Sequence, residues 1–337
     1  MKKQTGARVP HPGRRKALLA AAGLALGGMP AAAFAQGAWP TPGQPIRIVV
    51  TQGPGAGSDI LARLIGAELQ TALDGHPVVV ENRPGAAGML GHSYVAKAPA
   101  DGNTLILSST GLLLVTPEMT TGLRIHYTDY APVAGLIEGP YVLVVPNTPE
   151  APKSLAELRR QLADGKGTYG SSGAGTMAHL ASALVLQRAG LKADHVPYKA
   201  NTQVLQDLAG GRLSFASDSV SSARGMLQAD RVRALAVTSA ERLSSLPGVP
   251  TLAEAGLPGT VITTRAGLLA PKGVPPERIQ RLSEAVRQVL AQPAVAARLV
   301  ALESPARYAS PADYAKELDA EAKVWVGLVK QMNLKPD

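Results

Sequence analysis

The sequence predicts an α/β protein of two lobes between which the chain crosses twice. Three observations lead there. Short β-branched runs alternate with helical repeats from Ile46 to Leu107, the same alternation starts afresh at Thr168 and continues to Val237, and the tail after Leu269 offers helices but no sheet of its own. A tail without a sheet must pack on an existing one, and it is expected to return to the first lobe. With 337 residues, 45% of them apolar, each lobe has enough material for a core.

Ile46 to Thr51 reads as a buried strand. The loop from Gln52 to Ser58 leads into a helix from about Asp59 to Leu73, where Ile60, Leu61, Leu64, Ile65, Leu69 and Leu73 recur at helical spacing and Ser58 or Asp59 is the expected cap. Val78 to Val80 is a second strand, followed by a glycine-rich turn to Gly88 and a helix near Gly91 to Lys97; Leu105 to Leu107 is a third. Such alternation implies a parallel sheet with helices on both faces, whose ligands lie at the strand C-termini.

A strand from Tyr141 to Val145 follows, and a capping box at Ser154 and Glu157 starts a helix to about Ala163. Thr168-Tyr169 is a strand, and the loop Gly170 to Thr176 precedes a helix from about Met177 to Ala189. Val196 to Lys199 opens a loop before a helix from about Asn201 to Ala209. Leu213 to Ala216 is a strand ending at Ser217-Asp218-Ser219, a helix runs to about Ala229, and Ala234 to Val237 is again a strand. Val261 to Leu269 is the last, and the remainder reads as helix, from about Pro276 to Leu290 and from Pro311 to Met332.

Residues 1–35 read as a cleaved export signal. Lys2, Lys3, Arg8, Arg14, Arg15 and Lys16 stand without an acidic residue, an apolar run follows from Ala17 to Gly28, and Ala33-Phe34-Ala35 has the small-x-small form of a cleavage site. Roughly a dozen apolar residues fall short of the ~20 that span a membrane. Arg14-Arg15 leaves the twin-arginine route open beside the general one. Removing six positive charges takes the net charge from +9 to about +3, too little for a nucleic-acid surface. The absence of cysteine excludes a disulfide framework, thiolate chemistry and a lipidated N-terminal cysteine. A soluble periplasmic protein is expected.

Three loops stand out because each ends a strand, is rich in small residues and opens a helix: Gly53 to Asp59, Gly170 to Thr176, and Ser217 to Ser219. Glycine lets a ligand approach the backbone, and a first helical turn presents unpaired N–H groups with partial positive charge. Such loops hold anions; three or four charge-assisted bonds at about 1.5–3 kcal/mol each approach the ~8 kcal/mol of a micromolar complex before ordering costs. Each could equally be a tight turn. Enzyme motifs are incomplete: Gly53-Pro54-Gly55-Ala56-Gly57-Ser58 lacks the last glycine of G-x-G-x-x-G and has no following P-loop lysine, and Gly170-Ser171-Ser172-Gly173 has Ala174 where a nucleophile elbow needs glycine. The histidines His76, His92, His126, His179 and His195 lack metal-ligand spacing, so no metal and no cofactor are expected. His179 is either a ligand contact or a satisfied wall residue, and Asp59 and Asp218 are either caps or holders of a ligand's polar group.

The segments Ile46 to Val50, Asp59 to Arg63, Val78 to Gly88, Ala131 to Val133, Gly170 to Gly173, His195 to Lys199, Arg233 to Thr238 and Pro250 to Gly256, in this order and spacing, resemble the Bug family, the substrate-binding components of tripartite tricarboxylate transporters. The resemblance implies an α/β two-lobed periplasmic binding protein-like type II fold that closes on a small carboxylate in the cleft between its lobes, with membrane permease subunits as transient partners, a monomeric state and no catalysis. It places lobe one at residues 36–137 plus 258–337 and lobe two at 138–257. The matching ligand positions are Pro54, Gly55, Ala56, Gly57, Ser58 and Asp59; Ser109 and Thr110; Ser172, Gly173, Gly175, Thr176 and His179; Tyr198 and Ala200; and Asp218. The chain departs from the pattern at Thr51 to Ala56, at Ala200 and at Arg265, which is open as a solvated strand residue or a second clamp for a dianion. A sensory binder delivering its ligand to a receptor, and a secreted hydrolase, are the competing classes.

Overall fold

A computed structural model describes residues 39–120, 122, 125–198, 200–302 and 304–334; the expected export signal and Lys199 lie outside them. Pro42–Asp337 is one compact body. Its elements, in chain order, are β1 (Ile46–Val50), α1 (Gly57–Ala72), β2 (Val78–Asn82), α2 (Met89–Ala96), β3 (Thr104–Ser109), β4 (Tyr130–Pro146), α3 (Leu155–Gln161), β5 (Gly167–Ser171), α4 (Met177–Ala189), β6 (Ala193–Pro197), α5 (Asn201–Ala209), β7 (Phe215–Ser219), α6 (Val220–Gln228), β8 (Val232–Val237), β9 (Thr263–Pro271), α7 (Pro276–Ala291), α8 (Pro293–Ala301), β10 (Ala306–Ala309) and α9 (Pro311–Gln331).

The sheet runs β2-β1-β3-β9-β4-β7-β5-β6, with β8 and β10 also paired to β4. Strands β2, β1 and β3 are parallel, as are β6, β5 and β7, while β9, β4, β8 and β10 pair antiparallel. The expected parallel sheet is therefore a mixed one. The antiparallel part arises where the chain passes between the two series. From Tyr130 to Pro140, β4 pairs with β9, and from Tyr141 onward with β7 and β8. One strand serves both halves.

Sequence periodicity shows only the second half of β4, because Pro132, Gly135, Gly139 and Pro140 interrupt the first. The structure accommodates them with register shifts between Pro132 and Ala134 and between Gly135 and Ile137, since a bulge absorbs a residue that cannot donate to the ladder. The tail is not wholly helical either: β10 pairs with β4, and a Cβ at Gly135 would lie 2.9 Å from the Ala309 Cβ. Here glycine admits a strand that a side chain would hold off. Strand β6 covers part of the expected loop, and β7 begins two residues after Leu213.

Helix α4 is buried along almost its whole length, from Met177 to Leu186, as a helix apolar on all sides must be. Its one buried hydroxyl, Ser182 Oγ, accepts the Ser217 N–H at 3.0 Å. At its C-terminal end Gln187 donates to Gln331 of α9 at 2.7 Å. The tail helix thus packs on β4 and also on α4.

Gly267 on β9 lies beneath the buried ring of Tyr314 from α9. A Cβ there would fall 2.5 Å from Tyr314 Cε1 and 2.6 Å from the Ala134 carbonyl oxygen, and the backbone cannot yield. Gly267→Ala is expected to destabilise the protein by about 1–3 kcal/mol, read as a lower midpoint of urea unfolding. An unchanged midpoint would mean that Tyr314 has room to move.

Candidate functional site

The β1–α1 loop is organised from within. Helix α1 starts at Gly57 after Ala56, which has no side-chain cap, so neither Ser58 nor Asp59 is the cap. Asp59 sits inside the first turn and reaches backward: its Oδ2 accepts the Gly55 N–H at 2.9 Å and Arg63 Nε at 3.0 Å, and its Oδ1 accepts Asn82 Nδ2 at 2.9 Å. Asn82 also donates to the Gln52 carbonyl at 2.9 Å. The Arg63 hydrogen bond, with those from Gly55 and Asn82, lowers the Asp59 pKa to about 2. Asp59 and Arg63 are occupied with each other and with the loop, leaving the first-turn amides as the groups open to an anion. Ser58 donates to the Gln52 side chain at 2.6 Å.

At the β3 exit, Thr110 is buried and turned away from that loop. Its hydroxyl donates to Glu321 at 2.7 Å and accepts the Arg265 N–H at 3.2 Å. Arg265 is neither solvated nor a free clamp. Its guanidinium lies among Glu138 at 3.4 Å, Glu317 at 3.8 Å and Glu321 in close contact.

The β5 exit is a hydrogen-bonded knot. Thr176 caps α4 by accepting the His179 N–H at 3.3 Å, and its hydroxyl donates to the Gly173 carbonyl at 2.8 Å. His179 Nδ1 accepts the Gly175 N–H at 3.0 Å, and its ring stacks on His195 at 3.9 Å between centroids. Accepting through Nδ1 fixes the neutral tautomer with its proton on Nε2. Burial, with the neighbouring His195, lowers its pKa to about 4. Ser171 Oγ lies 2.7 Å from His195 Nε2, but it is 1% exposed and donates to the Gly173 carbonyl at 2.9 Å. That hydroxyl holds the loop's shape.

Two further exits abut this one. The Tyr198 N–H donates to the Ser171 carbonyl at 2.8 Å, while the Tyr198 hydroxyl turns to Asp207 at 2.8 Å. After Ala200, Asn201 donates to Asp218 Oδ1 at 2.8 Å. Asp218 also accepts the Ser219 N–H at 2.7 Å and the Ser222 hydroxyl at 3.2 Å. Burial outweighs these bonds and raises its pKa to about 6. Asn201 Oδ1 is buried without a hydrogen-bond partner, an acceptor ready for a donor on a ligand or water.

The two series meet here. A Cβ at Gly111 would lie 3.1 Å from Met177 Cγ, and one at Gly175 3.0 Å from Met119 Cγ, so the β3 and β5 exits touch. Gly57, Ser58 and Ser109 border one cavity with Thr264. Pro54, Gly55, Ala56, Ser172 and Gly173 belong to the same loops and offer backbone only, apart from the Ser172 hydroxyl. Arg63, Asn82, His195 and Asn201 are not among the ligand positions expected from sequence. The i,i+4 spacing of Asp59 and Arg63 is a legible signal; the long-range contacts of Asn82 and His195 leave none.

Residues 61–334 match the family described as TctC, tripartite tricarboxylate transporter family receptor. The chain belongs to that family. Among relatives, the UPF0065 protein in the tcbD-tcbE intergenic region of a Pseudomonas species is 38% identical over 96% of this chain and 95% of its own. BugT of Bordetella pertussis is 32% identical over 87% and 91%. A TctC solute-binding protein from Polaromonas superposes with a TM-score of 0.78 at 26% identity, covering 86% of this chain and 99% of that one. An R. palustris protein with adipate has a TM-score of 0.70 at 32% identity, covering 89% and 100%. MatC from Rhodopseudomonas palustris with bound malate has 0.67 at 30%, covering 86% and 99%. The mixed sheet shared through β4 is thus the two-lobed binding-protein fold of the TctC and Bug proteins, a family of solute-binding proteins.

Proposed function

We propose that this TctC-family protein is exported to the periplasm by its N-terminal segment, captures a small carboxylate between two lobes, and yields it to a tripartite tricarboxylate-type permease. The observation that carries this reading is the gathering of five strand exits from both series at one place. The lobes proposed are residues 36–137 with 258–337, and 138–257. In the structure β4 changes partners at Pro140 and Tyr141, close to the first of these boundaries. The adipate and malate held by two neighbours support a carboxylate as the ligand class.

The proposed mechanism follows from the loops. The backbone amides of Gly57 to Asp59 and of Ala174 bind the carboxylate, with the Ser109 and Ser172 hydroxyls as side-chain partners, while the Asn201 side-chain carbonyl oxygen accepts from a donor elsewhere on the ligand or from a bridging water. A ligand bonded to both lobes stabilises their closed arrangement, and that form is what the permease recognises. In a thermal-shift screen against a carboxylic-acid library, a true ligand at 100 times its Kd is expected to add about 2.7 kcal/mol of stability. A library-wide absence of shifts would overturn the proposal, and turnover of an ester or amide would favour a hydrolase.

A further inference from the structure

A cavity of about 310 Å³ opens beside the β1 and β3 exits, within the ~300–1,000 Å³ of small-molecule sites. Its polar lining is Gln52, Ser58, Ser109, Thr264 and Ser304, all uncharged, and its apolar lining includes Ile60, Leu61, Leu107, Leu112, Ile137 and Leu302. The floor is one face of the sheet. Ser109 pairs with Ala266, and Ala266 with Ile137, so the three form a row across β3, β9 and β4. Side chains alternate along a strand, which sends the neighbours of this row, Ser108, Arg265 and Glu138, to the opposite face. There Ser108 meets His92 at 3.1 Å, and Arg265 meets Glu138 at 3.4 Å.

The consequence is a cavity whose lining, among the described residues, includes no Lys, Arg, Asp or Glu. Asp59, next to the lining residues Ser58 and Ile60, is paired with Arg63 at 2.9 Å. Of the apolar lining, Ile60 and Leu302 are 43% and 40% exposed, a large share for apolar side chains that flank one concavity. Apolar surface held open to water gains when a ligand's hydrocarbon covers it. A second carboxylate placed there would shed its hydration without a cationic partner.

We propose that this cavity receives the apolar body of the ligand, so that the preferred substrates are monocarboxylates with an aliphatic or aromatic body rather than compact di- or tricarboxylates. The proposal rests on the carboxylate reading above. It also makes Ile60 a residue that determines specificity, at the boundary between the anion-binding turn and the apolar wall.

Calorimetric titration of the purified protein with butanoate, hexanoate, octanoate, adipate and suberate tests it. Affinity is expected to rise about fourfold per added methylene until the cavity is filled. Hexanoate and octanoate are each expected to bind tenfold or more tightly than adipate and suberate, the diacids of matched length. Ile60→Lys, at an exposed helical position, places a cation at the wall and is expected to reverse that preference toward adipate. A flat monocarboxylate series, adipate binding more tightly than hexanoate in the unaltered protein, or an Ile60→Lys variant with unchanged preference would each overturn the proposal while leaving carboxylate capture intact. If none of these acids binds and the library screen is also silent, the carboxylate reading falls with it.

Discussion

Arg265→Ala is expected to lower the unfolding free energy by about 3 kcal/mol, the lower end of what removing one partner from a buried ion pair costs, because the network is partly buried. The network holds two cations and three carboxylates. Arg265 contacts Glu138, Glu317 and Glu321, and Arg307 pairs with Glu138 and Glu317 at 2.6 Å each. The Arg265 side chain is 19% exposed and that of Glu321 11%. Burial raises the Glu321 pKa despite the opposing pull of Arg265 and the Thr110 hydroxyl. Without Arg265, Glu321 must either take up a proton or lie charged and unpaired.

The position amplifies the effect. Glu138 and Arg265 are register partners on β4 and β9, close to where β4 changes partners, and Glu321 holds Thr110 at the β3 exit. Equilibrium urea unfolding checks the loss, and Glu321→Gln in the Arg265→Ala background is expected to restore part of it by removing the stranded charge. A loss below about 1 kcal/mol would put this network in the class of weak surface pairs.

Arg265 also marks where reading the sequence stops. Its place between Thr264 and Ala266 on a strand is legible, yet the face it turns to is decided by partners 56 and 127 residues away, Glu321 and Glu138. Helices α4 and α5 are legible to the residue, because Thr176 caps the first and Gly190 ends it in the left-handed region at φ 68°. Strand β10 is hidden by contrast: four residues between Pro305 and Pro311 carry no periodicity, and their pairing depends on the missing side chain at Gly135. The anion-binding loops are visible as glycine-rich strand exits since their chemistry is mostly backbone. What fixes their shape, including the Asn82 amide on Asp59 and the His179–His195 stack, comes from elsewhere in the chain and has no local signature.

His92, His179 and Asp218 together are expected to cost about 3–4 kcal/mol of stability on acidification from pH 7 to pH 4, the two buried histidines being opposed by the buried carboxylate. His92 lies between Tyr130 at 3.2 Å and Ser108 at 3.1 Å, and the Tyr130 hydroxyl donates to the His92 carbonyl at 2.8 Å. With that proton committed, His92 donates through Nδ1 and accepts at Nε2 as a neutral ring. Burial lowers its pKa to about 4, as it does for His179. In the unfolded chain both return to about 6.5, so the unfolded state binds more protons between pH 6.5 and 4, and the stability present above that window is lost as pH falls through it. Each histidine accounts for about 3 kcal/mol at 1.36 kcal/mol per pKa unit. Asp218 has the opposite sign. With its pKa raised to about 6, the folded state takes up the proton first, which returns about 3 kcal/mol between pH 6 and 4. Urea midpoints measured across this range for the unaltered protein, His92→Gln and Asp218→Asn separate the contributions: the first substitution is expected to flatten the dependence and the second to steepen it. Identical slopes in all three proteins would remove these groups as its cause.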